Sequence, residues 1–238
     1  MPLLPTLDRL HHQVRRNLWL RYFTYGVRVL LAVGFIPAGI VKLTGERFAS
    51  GLSVVHPMGS YLVALQATGF YYTFIGVVQV LAGVLLLIPR TALLGAVLYF
   101  PIIFNICVLS LAVRFEGSLL TAPLMVLANV YLLCWHWDRI RFLLPLREEQ
   151  LRYTFVPPGT YDRRFPLKFV ALAGTAAVAT VAATIALNVY AIMPRNSLGD
   201  CNTQFTGTER SARGADFCAC IHERGGSLAT CLEEYEGR

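Results

Sequence analysis

Tyr22–Leu43 reads YFTYGVRVLLAVGFIPAGIVKL, an apolar run interrupted by Arg28 and closed by Lys42. As a helix it reaches ~33 Å at 1.5 Å per residue, enough to cross the hydrocarbon core of a bilayer. Four more apolar segments follow, Tyr71–Ile88, Thr91–Val113, Leu119–Trp137 and Leu167–Ile192. Met58–Ala67, set off by Thr68-Gly69, reads as a short interfacial helix outside the spans. The connections at Pro89-Arg90 and Arg114–Gly117 are short enough to force antiparallel neighbours, so the first four spans predict an up-down bundle. The expected fold is all-α: a four-helix transmembrane bundle, a fifth transmembrane helix and a small disulfide-stapled helical tail. The corresponding segments are 1–21, a basic amphipathic stretch; 22–142, the bundle; 143–166, a linker; 167–193, the fifth span; and 194–238, the tail.

Composition supports the same class. Of 238 residues, 55% are hydrophobic and 15% charged, with a mean hydropathy of +0.54, too apolar for an ordinary soluble domain. The net charge of +7 and pI near 9.3 raise the question of nucleic acid, which the placement of the charges answers. With the N-terminus cytoplasmic, the inner side holds Arg9, Arg15, Arg16, Arg21, Arg28, Arg90, Arg139, Arg141, Arg147, Arg152, Arg163, Arg164 and Lys168. The outer loops hold only Lys42, Arg47 and Arg114, and in the tail five Arg are outnumbered by seven acids. This asymmetry is an insertion signal and predicts a multi-pass membrane protein with its N-terminus in the cytoplasm and its tail outside it. No nucleic-acid partner is expected.

The N-terminus lacks the pattern of a cleaved secretory signal. Leu10–Tyr25 predicts one amphipathic helix with His11, His12, Arg15 and Arg16 on its wet side. Phe70, Tyr71 and Tyr72 at one interface and Trp135 and Trp137 at the other form aromatic belts. His56 and His136 fall on opposite faces, which argues against a haem held by a histidine pair within the bundle.

Polar residues inside spans must find partners where water is absent. Lys42, Gln79, Asn105 and Asn129 supply one per helix. The expectation is that they lock helix register; the alternative is a pocket for a quinone, lipid or other small ligand, with Lys42 either functional or snorkelling outward. Pro37 and Pro101 are expected to bend their helices, and Gly34 with Ala38 and Gly76 with Gly83 to permit close approach. The smooth small-residue surface of 171–186 suits packing on another helix, here or in a partner subunit.

The ordered series Ala38–Leu43, His56-Pro57, Thr68–Tyr71, Ile75–Gln79, Leu85–Arg90, Phe100–Ile106 and Trp135–Arg139 resembles the DoxX-like membrane protein family over about residues 26–142. The resemblance implies a four-helix bundle in a bacterial inner membrane. The family includes a subunit of a thiosulfate:quinone oxidoreductase and proteins linked to redox or maturation systems, without agreed catalytic residues. The fifth span and the tail lie outside the minimal family pattern.

Cys107 and Cys134 sit in spans and read as small hydrophobes. Cys201, Cys218, Cys220 and Cys231 crowd a short tail and predict two disulfides, either 201–218 with 220–231 or 201–220 with 218–231. Redox-active thiols and a metal site using His222 are the alternatives. Two short helices, Ser211–Glu223 and Ser227–Tyr235, flank Gly225-Gly226.

No flavin or dinucleotide fingerprint, iron–sulfur spacing or nucleophile constellation is present, so no catalytic residue is assigned and catalysis by this chain alone is not expected. The favoured function is a non-catalytic accessory or scaffold subunit of an inner-membrane electron-transfer complex, contacting membrane lipids and partner subunits through 167–193 and 194–238. The alternatives are a quinone-interacting component of an oxidoreductase and a lipid- or small-molecule-binding protein.

Overall fold

The computed structural model describes residues 3–141, 159–189 and 191–237, with side chains from Asp8 onward. Residues 142–158 therefore take most of the predicted linker, with Arg147 and Arg152, outside the described residues. The described residues contain helices and no strand; an isolated parallel bridge joins Asn17 and Asp162. In order the helices are α1 (Leu3–Arg16), α2 (Leu18–Leu43), α3 (Pro57–Ala67), α4 (Phe70–Leu87), α5 (Ala92–Ala112), α6 (Thr121–Trp135), α7 (Trp137–Ile140), α8 (Leu167–Val189), α9 (Leu198–Thr203), α10 (Ser211–His222) and α11 (Leu228–Glu236).

Four of them, α2, α4, α5 and α8, are long and apolar enough to cross a membrane. Their outward faces are apolar as well: Leu30 on α2 is 72% exposed and Leu187 on α8 is 73% exposed. Side chains of this kind on an outer face suit lipid rather than water.

Helix α2 packs on α4, α4 on α5, α5 on α6, and α6 back on α2. The shared core includes Leu31, Phe35, Leu86, Tyr99, Ile103 and Leu132. The α2–α4 crossing centres on Gly39 and Gly76: a Cβ on Gly39 would lie 2.8 Å from the Gly76 carbonyl oxygen. The sequence pairs Gly76 with Gly83 instead. Gly83 does lie at a close approach, but to Ile36 of α2. Pro37 and Pro101 leave α2 and α5 unbroken as helices.

Three expectations change. The predicted helix 10–25 divides at Asn17, whose side chain accepts from the Leu20 N–H at 3.1 Å and starts α2 at Leu18 rather than Tyr22. His11 is not on a wet face: it is buried, and its Nε2 donates to the Trp135 carbonyl at 3.1 Å. Burial holds the His11 imidazole below its ordinary pKa. The predicted span 119–137 stops at Trp135, because His136 leaves helical geometry (φ −103°, ψ 31°) and its Nδ1 turns back to the Leu132 carbonyl at 2.9 Å. The resulting α6 has 15 residues, or ~22 Å, short of a full hydrocarbon core.

The remaining structure gathers at the two ends of this helical group. At one end α1 lies against α6 and α7, with Asp8 accepting from Trp137 Nε1 at 3.1 Å and Arg141 Nη1 at 3.0 Å. The segment 159–166 joins that end: Leu18 N donates to Asp162 O (2.9 Å), Asn17 Nδ2 to Arg164 O (2.7 Å) and Trp19 Nε1 to Arg163 O (3.1 Å). At the other end α9–α11 form a cap with its own core of Phe205, Phe217, Ile221 and Tyr235 around the cysteines. Their sulfurs lie at disulfide distance in the pairs Cys201–Cys218 and Cys220–Cys231, the first of the two connectivities left open by spacing. Cap helices α10 and α11 match the predicted pair to within a residue or two, whereas α9, capped by Ser197, is an addition.

Candidate functional site

Lys42 and Gln79 are brought together by the glycine crossing. Each lies three residues beyond its own glycine, Gly39 on α2 and Gly76 on α4, on the buried faces of the two helices. Lys42 is 7% exposed and does not snorkel outward: its Nζ donates to the Ala38 carbonyl, one turn back into the helix, at 3.0 Å. The rings of Phe48 and Tyr72 stand over the ammonium at 4.7 and 5.8 Å. No carboxylate among the described residues comes within ion-pair distance of it. Gln79 is 1% exposed, and its Oε1 is buried with no hydrogen-bond donor.

Both residues line a cavity of about 630 Å³ between α2, α3, α4, α5 and the start of α6. Phe35, Ile75, Ile102, Ile103, Ile106 and Met125 give it apolar walls. Asn105 lines the same cavity and is exposed, as are Tyr71 and Pro101, so the cavity is open on this side. The volume lies in the range of small-molecule sites, which pair apolar walls with a few placed polar groups. α3 forms one wall through Met58, Tyr61, Leu62 and Leu65.

Of the four predicted polar residues, three meet here and one does not. Asn129 lies outside the cavity; its Nδ2 donates to the Ala96 carbonyl at 3.1 Å and ties α6 to α5. The Asn129 Nδ2 bond is a contact between α5 and α6, while Asn129 Oδ1, like Gln79 Oε1, is buried without a donor.

Two features escaped the sequence reading. Arg28, counted there as an inner-side charge, is buried; its Nε and Nη2 donate to the Leu86 and Leu87 carbonyls at 2.5 and 2.8 Å. It closes the C-terminal end of α4, where carbonyls lack partners and a cation is favoured. An arginine this far inside an apolar run was the available signal. The second is the seat of the cap. His56 is the N-cap of α3, its Nδ1 accepting from Met58 N–H at 3.1 Å. Its ring lies 5.7 Å from that of His222 on α10. His222 Nε2 donates to the Pro194 carbonyl at 2.7 Å, Arg114 Nη1 to the Ile192 carbonyl at 2.7 Å, and Arg195 pairs with Glu116. Burial first, and then the neighbouring His222, push His56 down to about 4. Among the described residues no group of three His, Cys, Asp or Glu side chains converges on a metal-sized site.

Over 129 residues, 52% of this chain and 82% of the relative, the chain is 34% identical to the Bacillus subtilis (strain 168) protein YwoB. The chain belongs to the YwoB family. YwoB is described as an uncharacterized protein, so the family name carries no activity with it. No family model matches the chain, and no solved structure does.

Proposed function

We propose that the protein is a membrane-embedded binding protein whose cavity holds a small amphiphile, a quinone or a lipid, at Lys42, Gln79 and Asn105. The observation that carries this reading is Gln79 Oε1, a buried acceptor without a donor beside a buried ammonium without a carboxylate. Each is costly in a medium without water, and a ligand head with both a donor and an acceptor relieves both. The DoxX-like resemblance supports the quinone branch through the oxidoreductase subunit in that family. In this reading α2, α4, α5 and α6 are the up-down bundle in a bacterial inner membrane, with α1 cytoplasmic and the cap outside. The excess of Arg on the side of α1 supports that orientation.

The test is native mass spectrometry of gently solubilised protein. A bound small molecule in the unaltered chain that is lost in Gln79→Leu, with helix content intact, meets the expectation. Retention of the same molecule by both, or a fall in thermal stability alone, refutes the reading. Labelling of a cysteine placed at 205 but not at 160 in intact cells tests the orientation.

A second reading, an accessory subunit of an electron-transfer complex, is favoured by α8. Only 6% of its span is buried, and α6 is its main helical neighbour. Its Ala-, Gly- and Thr-rich outer surface is left for another chain or for lipid. Co-purification of a further membrane subunit that is lost when 167–193 is replaced by an unrelated span tests it.

A further inference from the structure

Resting on the binding reading above, the geometry points to a narrower ligand class. We propose that the cavity selects an anionic amphiphile whose head joins an oxyanion to a hydroxyl, as in a glycerol phosphate, with Lys42 Nζ as the counter-charge and Gln79 Oε1 as the acceptor for the hydroxyl.

The donor and acceptor inventory leads to this class. An ammonium offers three N–H donors and no acceptor, and Ala38 O takes one of them. The rings of Phe48 and Tyr72 over the ammonium favour a cation without neutralising it. No Asp or Glu is among the cavity-lining residues, so a neutral guest leaves the charge uncompensated in an apolar surround. An oxyanion supplies that charge and accepts the free N–H groups. Gln79 Oε1 accepts only, so the same head must also donate. An oxidised quinone has acceptors and no donor: it takes a bond from Lys42 Nζ or Gln79 Nε2 but leaves Gln79 Oε1 as it stands. An oxyanion with a neighbouring hydroxyl satisfies both ends. The Cβ direction brings them to a common depth: side chains lean toward the N-terminus of their own helix. Lys42, beyond Gly39 on α2, therefore leans back toward the crossing, and Gln79, beyond Gly76 on the oppositely running α4, does the same. The apolar walls and the open side at Tyr71, Pro101 and Asn105 leave room for a tail to leave the head site sideways.

The head chemistry is shared by phosphatidylglycerol and by a lysophospholipid carrying a free glycerol hydroxyl. Delipidated full-length protein is incubated separately with phosphatidylglycerol, a lysophosphatidylglycerol, phosphatidylcholine of matched chains and menaquinone, and bound stoichiometry is read by native mass spectrometry. One equivalent of either glycerol-phosphate lipid, with phosphatidylcholine and menaquinone washed away, is the expected result, and the preferred one of the two identifies the source. Lys42→Met should weaken that binding at least about tenfold, the scale of one lost charge-assisted bond, and Lys42→Arg should retain most of it. Lipid-dependent thermal stabilisation, present in the unaltered protein and in Lys42→Arg but absent in Lys42→Met, guards against misfolding of the variant. Menaquinone binding in place of the anionic lipids overturns the class and leaves the pocket standing. Equal phosphatidylglycerol binding by Lys42→Met overturns it by placing the lipid elsewhere. Failure of all four probes overturns the pocket itself.

Discussion

Acidification should loosen the cap from α3, and the size of the effect follows from His56. Its ring is 1% exposed, wedged between His222, Phe115 and the Arg195 backbone, with the Arg195–Glu116 pair close by. The docked value of about 4 lies below the ordinary 6.5, so the released form takes up a proton first. Docking is therefore at full strength above about pH 6.5 and weakens as the pH falls toward 4. At 1.36 kcal/mol per pH unit the whole span is worth about 3 kcal/mol, most of it gone by about pH 4.5. Hydrogen exchange of α3, α10 and residues 113–120, normalised to intrinsic rates, should then show protection falling by roughly fifty- to a hundredfold between about pH 7.5 and 4.5. His56→Asn keeps a side-chain acceptor at the N-cap and removes the imidazole titration, so its profile should be much shallower. Unchanged protection in the unaltered protein, or the same pH dependence in His56→Asn, would refute the reasoning.

Three further outcomes are expected. Gly76→Ala sets a Cβ 2.8 Å from the Lys42 Cβ and 2.9 Å from the Gly39 carbonyl oxygen; it should cost ~1–3 kcal/mol by thermal unfolding and widen the crossing that holds the cavity together. Arg28→Met leaves the Leu86 and Leu87 carbonyls without their donor, and should lose ~1–3 kcal/mol, with Arg28→Lys recovering part of it. Cys231→Ser opens the 11-residue Cys220–Cys231 link and should weaken the cap by ~2–4 kcal/mol without altering insertion of α2–α6, while peptide mapping of alkylated protein reports the pairing directly.

Much of this was legible in local sequence. α4 and α5 end within a residue of the predicted limits because Gly69, Pro89 and Thr91 interrupt long apolar runs whose hydropathy alone fixes a helix. α3 was legible from the Thr68-Gly69 break that ends it, and it starts at Pro57, one residue before the predicted Met58, because the His56 side chain caps it. The break at Asn17 was not, since the amphipathic pattern continues through it and only the side-chain bond to Leu20 N shows a new start. The wet-side assignment of His11 failed because a helical pattern shows one polar face without showing that Trp135 and Asp138 cover it. In the candidate site, residue type identified Lys42, Gln79 and Asn105, and depth alone could not separate them from Asn129. That separation needs the helix partners, and the partners follow from Gly39 meeting Gly76, a pairing 37 residues apart in the chain. The cysteine connectivity belongs to the same class, two allowed answers decided only by how α9 and α11 fold around α10.

Helix α8 is held at its ends more than along its length. Asn17 and Trp19 clasp the segment before it, Phe23 meets Phe169 at 5.6 Å, and the cap anchors the chain after it. A cap released from its seat thus remains on a leash whose far end stays fixed. Reseating is then a first-order event governed by an effective concentration, in the millimolar range for short tethers, and independent of how many copies the membrane holds. Contacts too weak to hold two separate proteins together suffice under those terms, and the cap can leave and return repeatedly without being lost.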